Sequence, residues 1–335
     1  MKQITIGIVG QGFVGNAIKE GFSPYYQIRA YDKFKPTYDT IESVVEYSDV
    51  IFVCVPTPMT ETGECYTGIV ESVLEDINDS CNNLSEHYKS SEFINKICII
   101  KSTVPPGTTK RMNELFSNLN VIFSPEFLTE ANAVNDFKNQ NRIILGGLNK
   151  VTAKVKPIFA KVFPNARIVK TDSKYAEMVK YVTNTFLATK VSFANEINQI
   201  CEALEIDYDK VIEYAQHDDR LGKSHWSVPG PDGDLGYGGH CFPKDLMALI
   251  HLELQFGINP TMLAATMAKN DEVREERDWE SMEGRAVIKQ QNFKELEEFD
   301  SIEDMRKDQG APRRTAEIKS DQIDFSDPSQ LKLKI

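Results

Sequence analysis

The chain has 335 residues, of which 41% are hydrophobic, and a formal net charge of −12. That length is a soft indication of two domains with cores of useful size. The acidic balance argues against nucleic acid or an anionic membrane as the main partner, while leaving room for a small anionic ligand in a locally basic pocket.

In chain order, the first strand-like run covers residues 3–9 and leads through GQGFVG into a helix. No signal peptide is expected before it, and no apolar run is long enough to span a bilayer. YQIRAYD (26–32) reads as a second strand. DVIFVCVP (49–56) and ICIIKST (97–103) read as buried strands, because they lack the alternation of a half-exposed sheet. A helical stretch covers 67–91, and NVIF (120–123) and NRIILGG (141–147) add two strands. Strands alternating with helices imply an α/β fold, a doubly wound parallel sheet over residues 1–170. From 171 to about 204 apolar residues recur at helical spacing without Pro or Gly, which predicts one long helix. A glycine-rich loop (about 217–240) and helices at about 243–256 and 260–278 complete an α-helical domain over 171–278. Residues 279–335 are polar and charged. Within them Phe293, Leu296, Phe299, Ile302 and Met305 recur every three residues, Ser301 with Asp304 resembles a capping box, and Gly310 is placed to end a helix. The expectation is a weak helix in a loose tail.

Gly10, Gly12 and Gly15 form G-x-G-x-x-G between a strand and a helix, with Phe13 and Val14 inside the motif. The first glycine permits the turn, the second lets backbone approach a pyrophosphate, and the third lets helix pack on strand. The helix N-terminus suits the phosphates. Asp32 ends the second strand where a ribose-binding carboxylate belongs. It repels a 2′-phosphate and accepts from a 2′-hydroxyl, so NAD is expected over NADP, with Lys33 softening that preference. This makes the first domain a Rossmann-like, NAD-binding one.

GYGGHCFPKD (236–245) is the second unusual string. Pro243 suits a first helical turn, so Cys241 lies just before a helix N-terminus, whose dipole favours thiolate over thiol. The glycines let a substrate reach the sulfur, and Asp245 in the first turn is placed to orient a water. A metal site from His217, His225, His240 and Cys241 has irregular spacing, and none is expected. The six cysteines, Cys54, Cys65, Cys81, Cys98, Cys201 and Cys241, show no CxxC, which fits reduced thiols in a cytoplasmic compartment. A dehydrogenase fold with a nucleophilic cysteine suggests alcohol-to-acid oxidation through a thioester. That route needs a base, a water-holding hydroxyl and donors for developing oxyanions. Thr103, Glu126, Glu130, and Lys180 with Asn184 on one helical face supply those residue types.

Together GIVGQGFVG, VCVPTP, KSTVPPGTT, SPEFLTEANAVNDF with NRIILGG, EMVKYVTNTFLATKVSFANEI, DDRLG and GYGGHCFPKD resemble the UDP-glucose/GDP-mannose dehydrogenase family, in family order over residues 1 to about 275. SPEFLTE…NRIILGG looks most like its UDP-glucose branch, with GDP-mannose dehydrogenase the nearest competitor. The resemblance implies Cys241 as nucleophile, Glu126 in acid–base chemistry and thioester hydrolysis, Thr103 and Asp245 placing water, and Lys180 and Asn184 stabilising oxygen charge on the substrate. It implies Thr57 and Glu130, with Thr103, near NAD. Phe127, Leu128, Tyr237 and Gly238 would line the substrate site, and Arg220 would reach the sugar from a partner subunit, with the long helix as a homodimer interface. UDP-glucose is the implied substrate. The alternatives are GDP-mannose, an N-acetylated sugar nucleotide, or a catalytically idle binding protein. The family normally continues into a second Rossmann-like domain, and no second βαβ series is expected after residue 275.

Overall fold

A computed structural model describes residues 4–35 and 38–289. The expected weak helix around 293–305 lies outside the described residues. Seven strands and ten α-helices are described: β1 (Thr5–Val9), α1 (Phe13–Phe22), β2 (Gln27–Tyr31), α2 (Ile41–Tyr47), β3 (Val50–Val53), α3 (Gly68–Tyr88), β4 (Lys96–Ile100), α4 (Thr108–Leu115), β5 (Leu119–Phe123), α5 (Ala133–Lys138), β6 (Arg142–Gly146), α6 (Asn149–Val162), β7 (Arg167–Thr171), α7 (Ser173–Ala203), α8 (Tyr208–Ala215), α9 (Phe242–Gln255) and α10 (Thr261–Val273). No helix among the described residues is long and apolar enough to cross a membrane.

The chain forms two compact units. The first holds residues 1–59, 65–184 and 284–286, and the second holds 60–64, 185–283 and, among the described residues, 287 onward. The division falls inside α7. In the first unit the strands form one sheet in the order β2-β1-β3-β4-β5-β6-β7. Every residue of β1 and β3 is buried, as their unbroken apolar runs require when helices cover both faces. Ile6, Ile8, Phe52, Ile99, Ile122 and Leu145 face one core with Phe22, Phe137 and Phe159. The Phe22 ring meets Phe52 edge-on at 5.3 Å and Phe159 at 5.5 Å. Val9, Ile51, Val53, Cys98, Val121 and Phe123 face a second core with Leu74 and Ile77.

The expectation of a wholly parallel sheet is corrected at one junction. β5 and β6 pair antiparallel, with Phe123 opposite Gly146, while the other neighbours are parallel. The connection after β5 carries α5, and α5 packs on α1. Gly21 of α1 permits that approach, since a Cβ there would meet the Phe137 ring. β7 is a further strand beyond those read from the sequence. None of its residues is fully buried, and it lies last in the sheet order, as an edge strand does.

α4 begins at Gly107 without a side-chain cap of its own. Glu177 of α7 supplies one, accepting from the N–H groups of Gly107 (2.6 Å) and Thr109 (2.8 Å). In the second unit, α8 is capped by Asp207, which accepts from Lys210 N–H, and Ala194, Cys201, Tyr208, Ile212 and Trp226 form a small core.

Candidate active site

The sheet order places β1 between β2 and β3, so successive connections from β1 and β3 leave in opposite directions at the carboxyl ends of those strands. That switch point is where open α/β sheets take ligands. The glycine motif follows β1 there. Gly10 has φ +90°, and a Cβ on it would lie 2.5 Å from Cys54 O. A Cβ on Gly15 would overlap Gly10 O, so helix and turn touch at that residue. Around Gly12 no atom lies within 4 Å of a Cβ position. Two glycines are therefore required by the fold, and one borders open space at the uncapped start of α1, where the helix dipole favours an anion. These residues fit a dinucleotide pyrophosphate. Phe13 and Val14 pack partly on the core, and Phe13 also lines a cavity of about 230 Å³ with Glu130.

Asp32 follows β2. Its Oδ2 accepts from Gln11 N–H at 2.8 Å and its Oδ1 from Phe34 N–H at 3.0 Å. The carboxylate thus holds the glycine turn and keeps lone pairs for a ribose. Lys35, rather than Lys33, reaches the turn, through Gln11 O. Asp32→Ala is expected to weaken NAD binding by about 1–3 kcal/mol, the scale of a lost charged hydrogen bond. Calorimetric titration checks this, and an unchanged affinity would take Asp32 off the ribose.

The loops after β3 and β4 are tied together. Thr57 Oγ1 donates to Thr103 O at 2.7 Å, Cys65 Sγ to the same carbonyl at 3.6 Å, and Ser102 Oγ to Val55 O at 2.6 Å. Thr57 and Thr103 are therefore brought together by this bond. Glu130 lies further out and pairs with Arg285 at 2.7 Å.

The loop after β5 carries Glu126, 8% exposed. Lys180 of α7, 3% exposed, donates to Glu126 O at 2.7 Å and Oε1 at 2.8 Å, and Leu128 N–H donates to Oε2 at 2.8 Å. Burial pushes the Glu126 carboxyl up, but Lys180's charge and hydrogen bond, the Leu128 N–H and Lys101's charge outweigh it and hold the carboxyl below its ordinary value. Asn184, one turn on from Lys180, is also buried. Phe127 lies with its ring 5.7 Å from Lys180 Nζ and 4.1 Å from the Arg142 guanidinium. Leu128 turns its side chain to the core, so its contribution here is its backbone N–H.

Sequence reasoning passed over Lys101. It donates to Pro125 O at 3.0 Å and Ser124 Oγ at 3.4 Å, and burial pushes its ammonium down to about 8 against the opposing pull of Glu126. Two buried lysines thus engage successive carbonyls of the Pro125–Glu126 turn. The available signal was a lysine directly after the fully apolar end of a buried strand.

In the second unit, Cys241 occupies the N-cap of α9, with Pro243 in the first turn as expected. Asp245 N–H donates to Cys241 O at 3.0 Å, the first bond of the helix. Asp245 is 1% exposed and its carboxylate takes the neighbouring Lys244 ammonium. Tyr237 is buried, which pushes its phenol above the ordinary range, and its ring meets Phe242 edge-on at 6.0 Å. Gly238 packs where a Cβ would collide with Arg274 and Asp278. Arg220 is exposed and forked onto Asp218, with Nε–Oδ1 at 2.9 Å.

Residues 23–163 match the NAD binding domain, and residues 174–272 the central domain, of the UDP-glucose/GDP-mannose dehydrogenase family. The chain belongs to that family. NAD is the cofactor of its N-terminal half. Among curated relatives, a UDP-glucose 6-dehydrogenase of Bacillus subtilis, TuaD, is 32% identical over 70% of this chain and 49% of its own length. The UDP-glucose 6-dehydrogenase of Rickettsia felis is 34% identical over 68% of this chain and 48% of its own length. Among solved structures, a UDP-glucose dehydrogenase from Pyrobaculum islandicum superposes with a TM-score of 0.70 at 25% identity, covering 81% of this chain and 68% of that one. The GDP-mannose dehydrogenase of Pseudomonas aeruginosa gives 0.58 at 25% identity over 80% of this chain and 68% of that one. The chain spans about half the length of the curated dehydrogenases it matches.

Proposed function

We propose that the protein carries out NAD-dependent, four-electron oxidation of UDP-glucose to UDP-glucuronate through a Cys241 thioester. The observation that carries this reading is the buried Glu126–Lys180 pair. A carboxylate kept ionised despite burial is placed to move protons, and an ammonium beside it is placed to stabilise charge on a sugar oxygen. Family membership and the names of the relatives support the substrate class.

Gly10, Gly12, Gly15, Asp32, Thr57 and Thr103 would hold NAD, with Glu130 at the rim. NAD, when bound, would supply the hydride acceptor, one molecule for each of the two oxidations. Lys180 and Asn184 steady the sugar C6 oxygen while its proton passes to Glu126 and C6 gives up a hydride, giving the aldehyde. The Cys241 sulfur adds to the aldehyde carbon, forming a C–S bond and a thiohemiacetal. Loss of a second hydride leaves a thioester. Water placed by Thr103 and Asp245, with Glu126 taking its proton, then breaks the C–S bond and releases the acid and the thiol. Phe127, Leu128, Tyr237 and Gly238 would line the substrate, and Arg220, exposed and held by Asp218, is suited to reach a second copy.

The homodimer is part of the same proposal. Exposed Phe186, Phe193 and Ile200 recur along α7 at spacings of a helical stripe. Sedimentation of the wild type as a monomer at assay concentrations would remove it. A cytoplasmic setting is supported by six cysteines with no disulfide among them.

The test is NADH formation over a panel of sugar nucleotides. Two NADH per UDP-glucose, with UDP-glucuronate identified by mass, is expected. Turnover of GDP-mannose or an N-acetylated sugar nucleotide in preference would move the assignment within the family. Absence of NADH with every substrate would mark an idle binding protein.

A further inference from the structure

The loop preceding Cys241 is held by side chains rather than by backbone partners. In the second unit, Gly236 N–H donates to Asn195 Oδ1 at 3.2 Å, Tyr237 N–H to Asn270 Oδ1 at 2.7 Å, and Gly239 N–H to Asp278 Oδ2 at 2.9 Å. Asn270 Nδ2 donates back to Tyr237 O at 3.0 Å, so one carboxamide reads both polar groups of one residue, as a neighbouring strand would. Asn270 is 2% exposed.

One turn along α10, Arg274 does the same for the outer part of the loop. Its side chain is 4% exposed, and its Nη2 lies 2.9 Å from Asp232 and 3.4 Å from Asp278. Nη1 donates to Leu235 O at 3.3 Å and Nε to Glu276 O at 2.7 Å. The Asp278 carboxylate it steadies is the one that takes Gly239 N–H. Asn270 and Arg274 therefore grip the loop on both sides of Gly238, three residues before the cysteine.

A loop with glycines at 236, 238 and 239 has little conformational preference of its own. Gly236 and Gly239 adopt φ +69° and +70°, which glycine reaches without strain. Such a segment leaves the position of the next residues to whatever grips it. Burying a carboxamide and a guanidinium costs more than apolar packing unless every polar atom is satisfied, and here Asn270 bonds the loop directly while Arg274 divides its bonds between the loop (Asp232, Leu235) and the 276–278 segment whose Asp278 takes Gly239 N–H.

We propose that Asn270 and Arg274 are positioning residues for Cys241, fixing the 236–240 loop so that the sulfur is presented in one place at the start of α9. This rests on Cys241 being the nucleophile. Neither residue touches the reacting atoms.

The experiment compares wild type, Asn270→Ala, Asn270→Asp and Arg274→Lys in the full chain. The measurements are kcat, KM for UDP-glucose, NAD affinity, and the rate of Cys241 alkylation by iodoacetamide followed on its peptide by mass. Asn270→Ala is expected to lower kcat by roughly 10²-fold, the scale of misplaced reacting groups. It should change the alkylation rate and leave NAD affinity as in wild type. Asn270→Asp keeps the acceptor for Tyr237 N–H and should recover part of the loss. Arg274→Lys keeps the charge without the fork and gives a smaller change in the same direction, which serves if the alanine variant does not fold. Wild-type kcat and alkylation in variants that bind NAD normally would overturn the positioning role alone. Normal acid release by Cys241→Ser would overturn the nucleophile reading and this proposal with it.

Discussion

Cys241→Ser is expected to bind NAD as the wild type does and to lose turnover to uronic acid by on the order of 10⁶-fold, the scale for removal of a covalent nucleophile. The residue caps α9 through its backbone, since Asp245 N–H bonds to its carbonyl and no side-chain cap bond is made. Serine keeps that backbone role, changes the side chain by one atom and is itself a favoured N-cap residue, so the helix start is expected to be kept. What changes is the chemistry: a hydroxyl is far less acidic than a thiol and adds poorly to an aldehyde. Products resolved by mass, with NAD titrated in parallel, check the expectation. UDP-glucuronate formed at the wild-type rate would rule out the covalent step.

Lys180→Met is expected to lower kcat by roughly 10²–10³-fold, the loss typical of one preorganised donor at a developing oxyanion. It should also destabilise the fold by about 3–5 kcal/mol, because the Glu126 charge stays buried without its partner. The second effect carries a pH signature. In the wild type Glu126 titrates below its ordinary 4.5, so it contributes stability above that value, and the contribution is lost as pH falls through the lowered one. Without Lys180 the burial penalty faces weaker opposition and the carboxyl moves upward. Stability then declines as pH rises past the ordinary value. Denaturant unfolding of both proteins at acidic and neutral pH reads the difference. Equal stability of the two at every pH would show that the pair does not hold the carboxylate.

The strands buried on both faces were legible because VIFV and its neighbours are apolar without alternation, and only central strands tolerate that. Their direction was not. Periodicity is the same for a parallel and an antiparallel strand, so the reversal at Phe123 and Gly146 had no trace in β6 itself. β7 escaped because RIVKT mixes charge with apolar residues, as an edge strand can.

Local features carried by compact strings were legible, including the glycine turn after β1 and the N-cap position of Cys241 on α9. Residues that act across long sequence separations were not. Lys101 meets Pro125, Asn270 meets Tyr237, and Asn195 meets Gly236. A lone Asn on a helix carries no pattern that says which loop it holds, because the partner is a backbone group and every residue has one.

The three glycines of the first turn answer to different constraints. Alanine at 10 or 15 would strike the chain itself, so such variants are lost to quality control before any ligand matters. Alanine at 12 would project into empty space, at a backbone φ of −73° open to any residue. Of the three, position 12 is the one where an added side chain would meet a bound pyrophosphate before it met the protein.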